Sequence, residues 1–132
     1  MTQLIDDSGF IADDWTQGFC TEAAANDCVA LDLASDTDPT QVSLTGLKMI
    51  RVDFPSSADG RGFTIAKQLR LRGYDGRLRA HGHVLADQYA MARRSGFDEV
   101  EIPDDLAQRQ PEDQWQARAD WRTHNYQARL RG

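Results

Sequence analysis

Lysine, cysteine and long apolar runs are all scarce in this chain. Lys48 and Lys67 are the only lysines, one before a strand and one on a helix, so no cofactor-bearing lysine stands out. Cys20 and Cys28 are the only cysteines. Their spacing fits no zinc, iron–sulfur or dithiol redox motif, which points to small, reduced, partly buried thiols. No stretch approaches the roughly 20 apolar residues of a membrane span. The opening MTQLIDDSGF lacks the basic and apolar regions of a signal peptide, so a cytoplasmic location is expected. Also missing are a GxGxxG fingerprint, a Walker loop, a Ser–His–Asp order, internal repeats and low-complexity tracts.

The chain has 132 residues, 40% of them apolar and 8% aromatic, which suits one ordinary domain. A chain of that length buries about 65–70% of its unfolded surface. The net charge of −6 conceals an asymmetry. Residues 1–47 carry nine acids and no Lys or Arg, residues 48–97 ten bases and four acids, and residues 98–132 five bases and eight acids. An acidic balance argues against general nucleic-acid binding. The basic middle either neutralises the acidic flanks on packing or holds a local anion.

Residues 48–102 read as a βαβαβ core. Strands are expected over Met49 to Phe54, Leu78 to Ala80 and Phe97 to Ile102. Helices are expected over Phe63 to Arg72, with a stripe of Phe63, Ile65, Ala66 and Leu69, and over Val84 to Ser95, with Leu85, Tyr89 and Ala92 inward. Before this core, Leu4–Ile5 and Phe10–Ala12 flank a Gly-containing turn and predict a hairpin. Asp13-Asp14 cap the following turn or, alternatively, hold a metal, with Trp15 anchored on the core. Cys28 to Leu33 predicts a further strand, and 42–47 a short helix or irregular lead-in. After the core, Pro103-Asp104-Asp105 starts a loop or short turn. A helix with Pro111 at its first position and Trp115, Ala119, Trp121 and Tyr126 runs over 111–130, against the sheet or another subunit, so a homodimer is one expectation. The predicted fold is α/β: a small, mostly parallel sheet of consecutive βαβ units, flanked by helices, with an N-terminal hairpin and a C-terminal helix.

In parallel sheets the site lies outside the carboxyl ends of the strands. Three loops are expected there. The first carries Asp53, Asp59, Gly60, Arg61 and Gly62. The second carries His81, Gly82 and His83, followed by Asp87 and Gln88. The third carries Glu101, Asp104 and Asp105. Arg61 between two glycines lets backbone and guanidinium approach one oxyanion together. The competing reading has Asp59 capping its helix and Arg61 paired internally with Asp53 or Asp87. Arg93-Arg94 complement a helix carboxyl end. His81, His83 and Asp87 form a possible metal set that crosses a strand–helix junction, so the prediction is no metal.

The block Phe54-Pro55, Asp59-Gly60-Arg61-Gly62-Phe63, Leu69-Arg70, Gly73-Tyr74, Gly76-Arg77-Leu78-Arg79-Ala80, Gly82, Val84-Leu85, Asp87-Gln88, Arg93-Arg94 and Gly96-Phe97-Asp98 resembles a bacterial domain-of-unknown-function family. Its members are commonly labelled "oxidoreductase probably involved in sulfite reduction". The similarity covers about residues 45–102, with Ala12-Asp13-Asp14-Trp15 and Tyr126-Gln127 also similar. The chain departs at His81 and His83, where the family pattern usually has an apolar residue and an Asp.

The resemblance implies a place beside sulfite reductase and the reductase that precedes it in sulfate assimilation. It also singles out Asp59, Arg61, Arg79, Asp87, Gln88 and Arg94, and the ligand-binding set expected from motif and loops together is Asp59, Gly60, Arg61, Gly62, Arg79, Gly82, Asp87, Gln88 and Arg94. The function expected first is an accessory or interaction protein of sulfite or sulfate reduction, with no cofactor of its own and sulfite reductase or a neighbouring enzyme as partner. The alternative is an oxidoreductase acting on a sulfur oxyanion with a partner's cofactor. A small-oxyanion sensor or chaperone is a third reading.

Overall fold

The computed structural model describes residues 2–15, 17–21 and 29–117. It shows a mixed α/β fold with one six-stranded sheet in the order β2-β1-β6-β5-β4-β3. The strands are β1 (Thr2–Asp6), β2 (Gly9–Ile11), β3 (Ala30–Leu33), β4 (Met49–Phe54), β5 (Arg77–Gly82) and β6 (Glu99–Pro103). Strands β3 to β6 run parallel to one another. The hairpin β1–β2 joins antiparallel, through β1, to β6. Asp6 closes the hairpin turn by accepting from the Ser8 backbone N–H at 2.8 Å, an Asx turn.

The expected βαβαβ core is present. Strand β4, MIRVDF, alternates: Ile50, Val52 and Phe54 enter the main apolar cluster, whereas Met49, Arg51 and Asp53 point to the other face. Helix α1 (Arg61–Leu71) buries the expected stripe of Phe63, Ile65, Ala66 and Leu69, together with Gly62 on its first turn. At Gly62 a Cβ would collide with the Phe54 ring, so this glycine lets the first turn ride directly on that ring. Phe54 in turn packs on Phe63, with centroids 4.9 Å apart, and on Phe97 at 5.8 Å.

The second expected helix is divided. A 3-10 turn, Ala86–Gln88, precedes α2 (Tyr89–Ser95). Leu85 is extended, at φ −89° and ψ 154°, and is exposed rather than inward-facing. Tyr89 and Ala92 are buried as expected. A short helix, α3 (Asp104–Arg109), stands where a loop or short turn was expected. Pro103 holds the extended entry, Asp104 and Asp105 sit on the first turn, and Leu106 is buried. Helix α4 (Glu112–Gln116) follows Pro111 and buries Trp115 beside Tyr89. The remainder of the expected 111–130 helix, with Ala119, Trp121 and Tyr126, lies outside the described residues, as does Cys28. Among the described residues no helix is long and apolar enough to cross a membrane.

The hairpin turn is tied to α2. Asp7 accepts from the Tyr89 hydroxyl and pairs with Arg93 at 3.1 Å. Burial, reinforced by the neighbouring Asp7 carboxylate, pushes the Tyr89 phenol far above its ordinary range.

Candidate functional site

Helices cover one face of the sheet, and the alternate residues of the same strands make the other face charged. Strand pairing sets Asp32 beside Arg51, Arg51 beside Arg79, and Arg79 beside Glu99 in one row. The next row sets Asp53 beside His81 and His81 beside Glu101. Two arginines directly opposite each other repel unless acids intervene. Here the acids do. Arg51 forks onto Asp32 at 2.6 and 2.7 Å and reaches Glu101 at 3.1 Å. Arg79 donates to Glu99 at 2.7 Å, to Glu101 at 2.9 Å and to Asp13 at 3.1 Å. Arg77 donates to Glu99 at 2.6 Å and to Asp14 at 2.9 Å.

The segment after the hairpin straps this face. Asp13 and Asp14 meet β5, the Phe19 ring lies 3.8 Å from the Arg51 guanidinium, and Cys20 bridges to β3 at Leu31. Asp13 also accepts from the Trp15 N–H at 2.9 Å, as a turn cap would. Trp15 stays partly exposed, donates to the Gly18 carbonyl and packs on Phe19, so it anchors the strap rather than the core.

Beneath the strap the Arg79 side chain is 0% exposed. Burial lowers its proton affinity, but Asp13, Glu99 and Glu101 outweigh that and hold it raised. Burial likewise pushes the Glu101 carboxyl up, yet Arg79, Arg51, His81 and the Thr2 hydroxyl bring it below its usual range. The lattice is internally satisfied and stiff.

At its carboxyl edge the face opens into a cleft of about 370 Å³, bounded by Thr21, Asp32, Leu33, Arg51, Asp53 and His81. The His81 ring lies between Asp53, 3.7 Å away, and Glu101, 3.6 Å away. Among the described residues, six carboxylates (Asp13, Asp14, Asp32, Asp53, Glu99 and Glu101) share this face with three guanidiniums, an excess of acid.

The structure places the expected site residues as follows. Asp59 and Arg61 pair with each other, Nη2 to Oδ2 at 2.7 Å, and Arg61 also donates to the Ser35 hydroxyl at 3.0 Å. The pairing holds the Asp59 carboxyl well below the usual carboxylate range. Gly60 caps α1, and Gly62 is occupied by the Phe54 ring. Gly82 and Gln88 sit on the strand-exit edge. The His83 N–H donates to the Phe54 carbonyl at 2.9 Å, and Gln88 Nε2 donates to the Ser57 carbonyl at 2.8 Å. Asp87 is exposed on the 3-10 turn. Arg79 is inside the lattice, and Arg94 is on the last turn of α2, at the other end of the βα unit. Glu101, expected in an exit loop, lies within β6.

His81 and His83 line different clefts, because Gly82, at φ +118°, ends the strand's alternation between them. Among the described residues no group of three His, Cys, Asp or Glu is placed to hold a metal. The lattice itself was not anticipated. Its signal is the charged alternate positions of strands read as ordinary: 51 and 53, 77 and 79, 99 and 101.

The model of a family described as "Bacterial protein of unknown function (DUF934)" matches residues 28–132. The chain belongs to this family. The matched span holds β3 to β6 and so most of the lattice, while the Asp13, Asp14 and Phe19 strap precedes it. Neither the comparison with curated proteins nor that with solved structures found a match.

Proposed function

We propose that this DUF934 protein is a cytoplasmic accessory protein of assimilatory sulfite or sulfate reduction that acts by docking a partner enzyme through the acidic face of its sheet. The resemblance supports the choice of pathway and of partner, sulfite reductase or a neighbouring sulfur-assimilation enzyme. One observation carries the mode of action: Asp13, Asp14 and Asp53 at the rim reach further into solvent than any arginine of the face, while Glu99 and Glu101 are buried with Arg79 beneath them. Arg79 is fully buried, whereas the Asp14 side chain is 68% exposed and Asp53 49%. A rigid surface with an excess of negative charge at its rim suits electrostatic capture of a basic patch. The outward acids set the encounter rate and its salt dependence, and the lattice beneath keeps them in register.

The test is equilibrium binding of the full-length protein to purified sulfite reductase and to its pathway neighbour at rising salt. Saturable binding that weakens with salt is the expected result. Binding that is absent for both enzymes contradicts the proposal. Native purification is expected to yield protein without a flavin, haem, cluster or nicotinamide absorbance band.

A further inference from the structure

The strand-exit edge carries a second cleft, separate from the acidic face and of opposite character. The loops that leave β4 and β5 meet α3, which follows β6, around a space of about 350 Å³. Ser56 and Ser57 line it from the first loop, His83 from the second and Arg109 from the end of α3, over apolar walls from Leu85 and Leu106. Among the described residues, Arg109 is its one charged lining residue, and no carboxylate lines it.

Hydrogen bonds fix all three walls. The His83 N–H donates to the Phe54 carbonyl at 2.9 Å, which clamps the two exit loops together. This close approach requires Gly82, because a Cβ there would lie 2.5 Å from the Phe54 carbonyl oxygen. Gln88 then staples both loops: its Nε2 donates to the Ser57 carbonyl at 2.8 Å and its Oε1 accepts from the Leu85 N–H at 2.9 Å. The Ala86 N–H donates to Gln110 Oε1 at 2.7 Å, which ties the second loop to the residue after Arg109. The charge on Arg109 is available. Its ion pair, with Asp105 at 3.6 Å, joins side chains that are 69% and 76% exposed, and such pairs hold weakly.

We infer that this cleft binds a small oxyanion of the sulfate, sulfite or phosphate class, with Arg109 and His83 facing its charge and the Ser56 and Ser57 hydroxyls donating to its oxygens. A guanidinium beside two hydroxyls, at a partly enclosed and partly apolar site, is the donor set such an anion needs. Arg61 cannot serve as well, since Asp59 already fills its fork. Gln88 and Gly82 are positioning residues for the site. The inference stands apart from the docking proposal, because it uses a different surface and different side chains.

The experiment is calorimetric titration of the full-length protein with sodium sulfate, sodium sulfite and sodium phosphate in separate arms at low ionic strength. Saturable binding is expected in at least one arm, and the preferred arm identifies the oxyanion. Arg109→Ala weakens it by about tenfold or more, and Ser56→Ala or Ser57→Ala by less. Arg61→Ala leaves it unchanged. Thermal melting of Arg109→Ala, an exposed position, matches the wild type. No saturable binding in any arm overturns the inference. So does binding that persists unchanged in an Arg109→Ala, His83→Ala double variant, or binding lost with Arg61→Ala alone.

Discussion

Glu101 of β6 accepts a hydrogen bond from Arg79 of β5 at 2.9 Å, and both side chains are out of water. The bond is diagonal, since Arg79 is directly opposite Glu99 and Glu101 is opposite His81. It lets the same Glu101 oxygen reach Arg51 at 3.1 Å and so separates two arginines that the strand register sets side by side. Burying such groups is costly, and the attraction between them offsets that cost only while every partner is present.

Glu101→Gln should therefore destabilise the fold by about 3 kcal/mol at neutral pH, and Arg79→Met by about 3–5 kcal/mol, because each strands buried charges of one sign. Urea unfolding monitored by tryptophan fluorescence measures both. Losses within ±0.5 kcal/mol would show that the lattice is energetically idle.

The same network predicts how stability depends on acidity. The Glu101 and Asp13 carboxyls lie below their ordinary values in the folded protein. Their contribution is then fully present above the unfolded carboxylate range of about 4 and is lost as pH falls through their lower folded values. The urea midpoint should drop between about pH 5 and pH 3, and the drop should be shallower in Glu101→Gln. An equally steep drop in that variant would place the acid sensitivity elsewhere.

Gly82→Ala should cost more than about 1 kcal/mol, through the positive φ and the Phe54 carbonyl that a methyl would meet. Its effect should be local. Hydrogen exchange at His83 and Val84 should accelerate more than at Ile50 or Val100 in the sheet, and uniform acceleration would contradict the clamp between the two loops.

Phe54→Ala should destabilise by about 3–5 kcal/mol, since the ring is shared by Gly62, Phe63 and Phe97. Adding Gly62→Ala to that variant should cost less than adding it to the wild type, because the obstructing ring is gone. A double-mutant cycle with no coupling would refute the packing account.

The sheet was legible in the sequence because its cues are local. MIRVDF alternates, Gly73 and Gly96 end helices, and Asp6-Asp7-Ser8-Gly9 turns a hairpin. What stayed hidden depends on which strands become neighbours. Arg51 reads as one charge on a strand until Asp32 and Arg79 stand beside it, and Asp13 reads as a turn cap until the strap crosses β5. Arg79 stood out as a motif residue, but nothing local shows that it is buried among acids. The division of the second helix went unseen because Leu85 suits a helix as well as it suits an extended N-cap. Helix α3 went unseen because Leu106 alone gives no period. At the candidate site, Arg61 could be read as free or paired, and only the folded loop shows that Asp59 takes its fork.

The central claim concerns the acidic face, and charge reversal at its exposed rim tests it most directly. Asp14→Lys and Asp53→Lys, combined in the full-length protein, change outward carboxylates and leave the Arg79–Glu101 core of the lattice in place. Binding to purified sulfite reductase or its pathway neighbour should weaken by about tenfold or more at low salt, while the melting temperature falls only by what losing the half-exposed Asp14–Arg77 pair costs. Affinity equal to that of the wild type, in a variant that folds normally, would contradict the account.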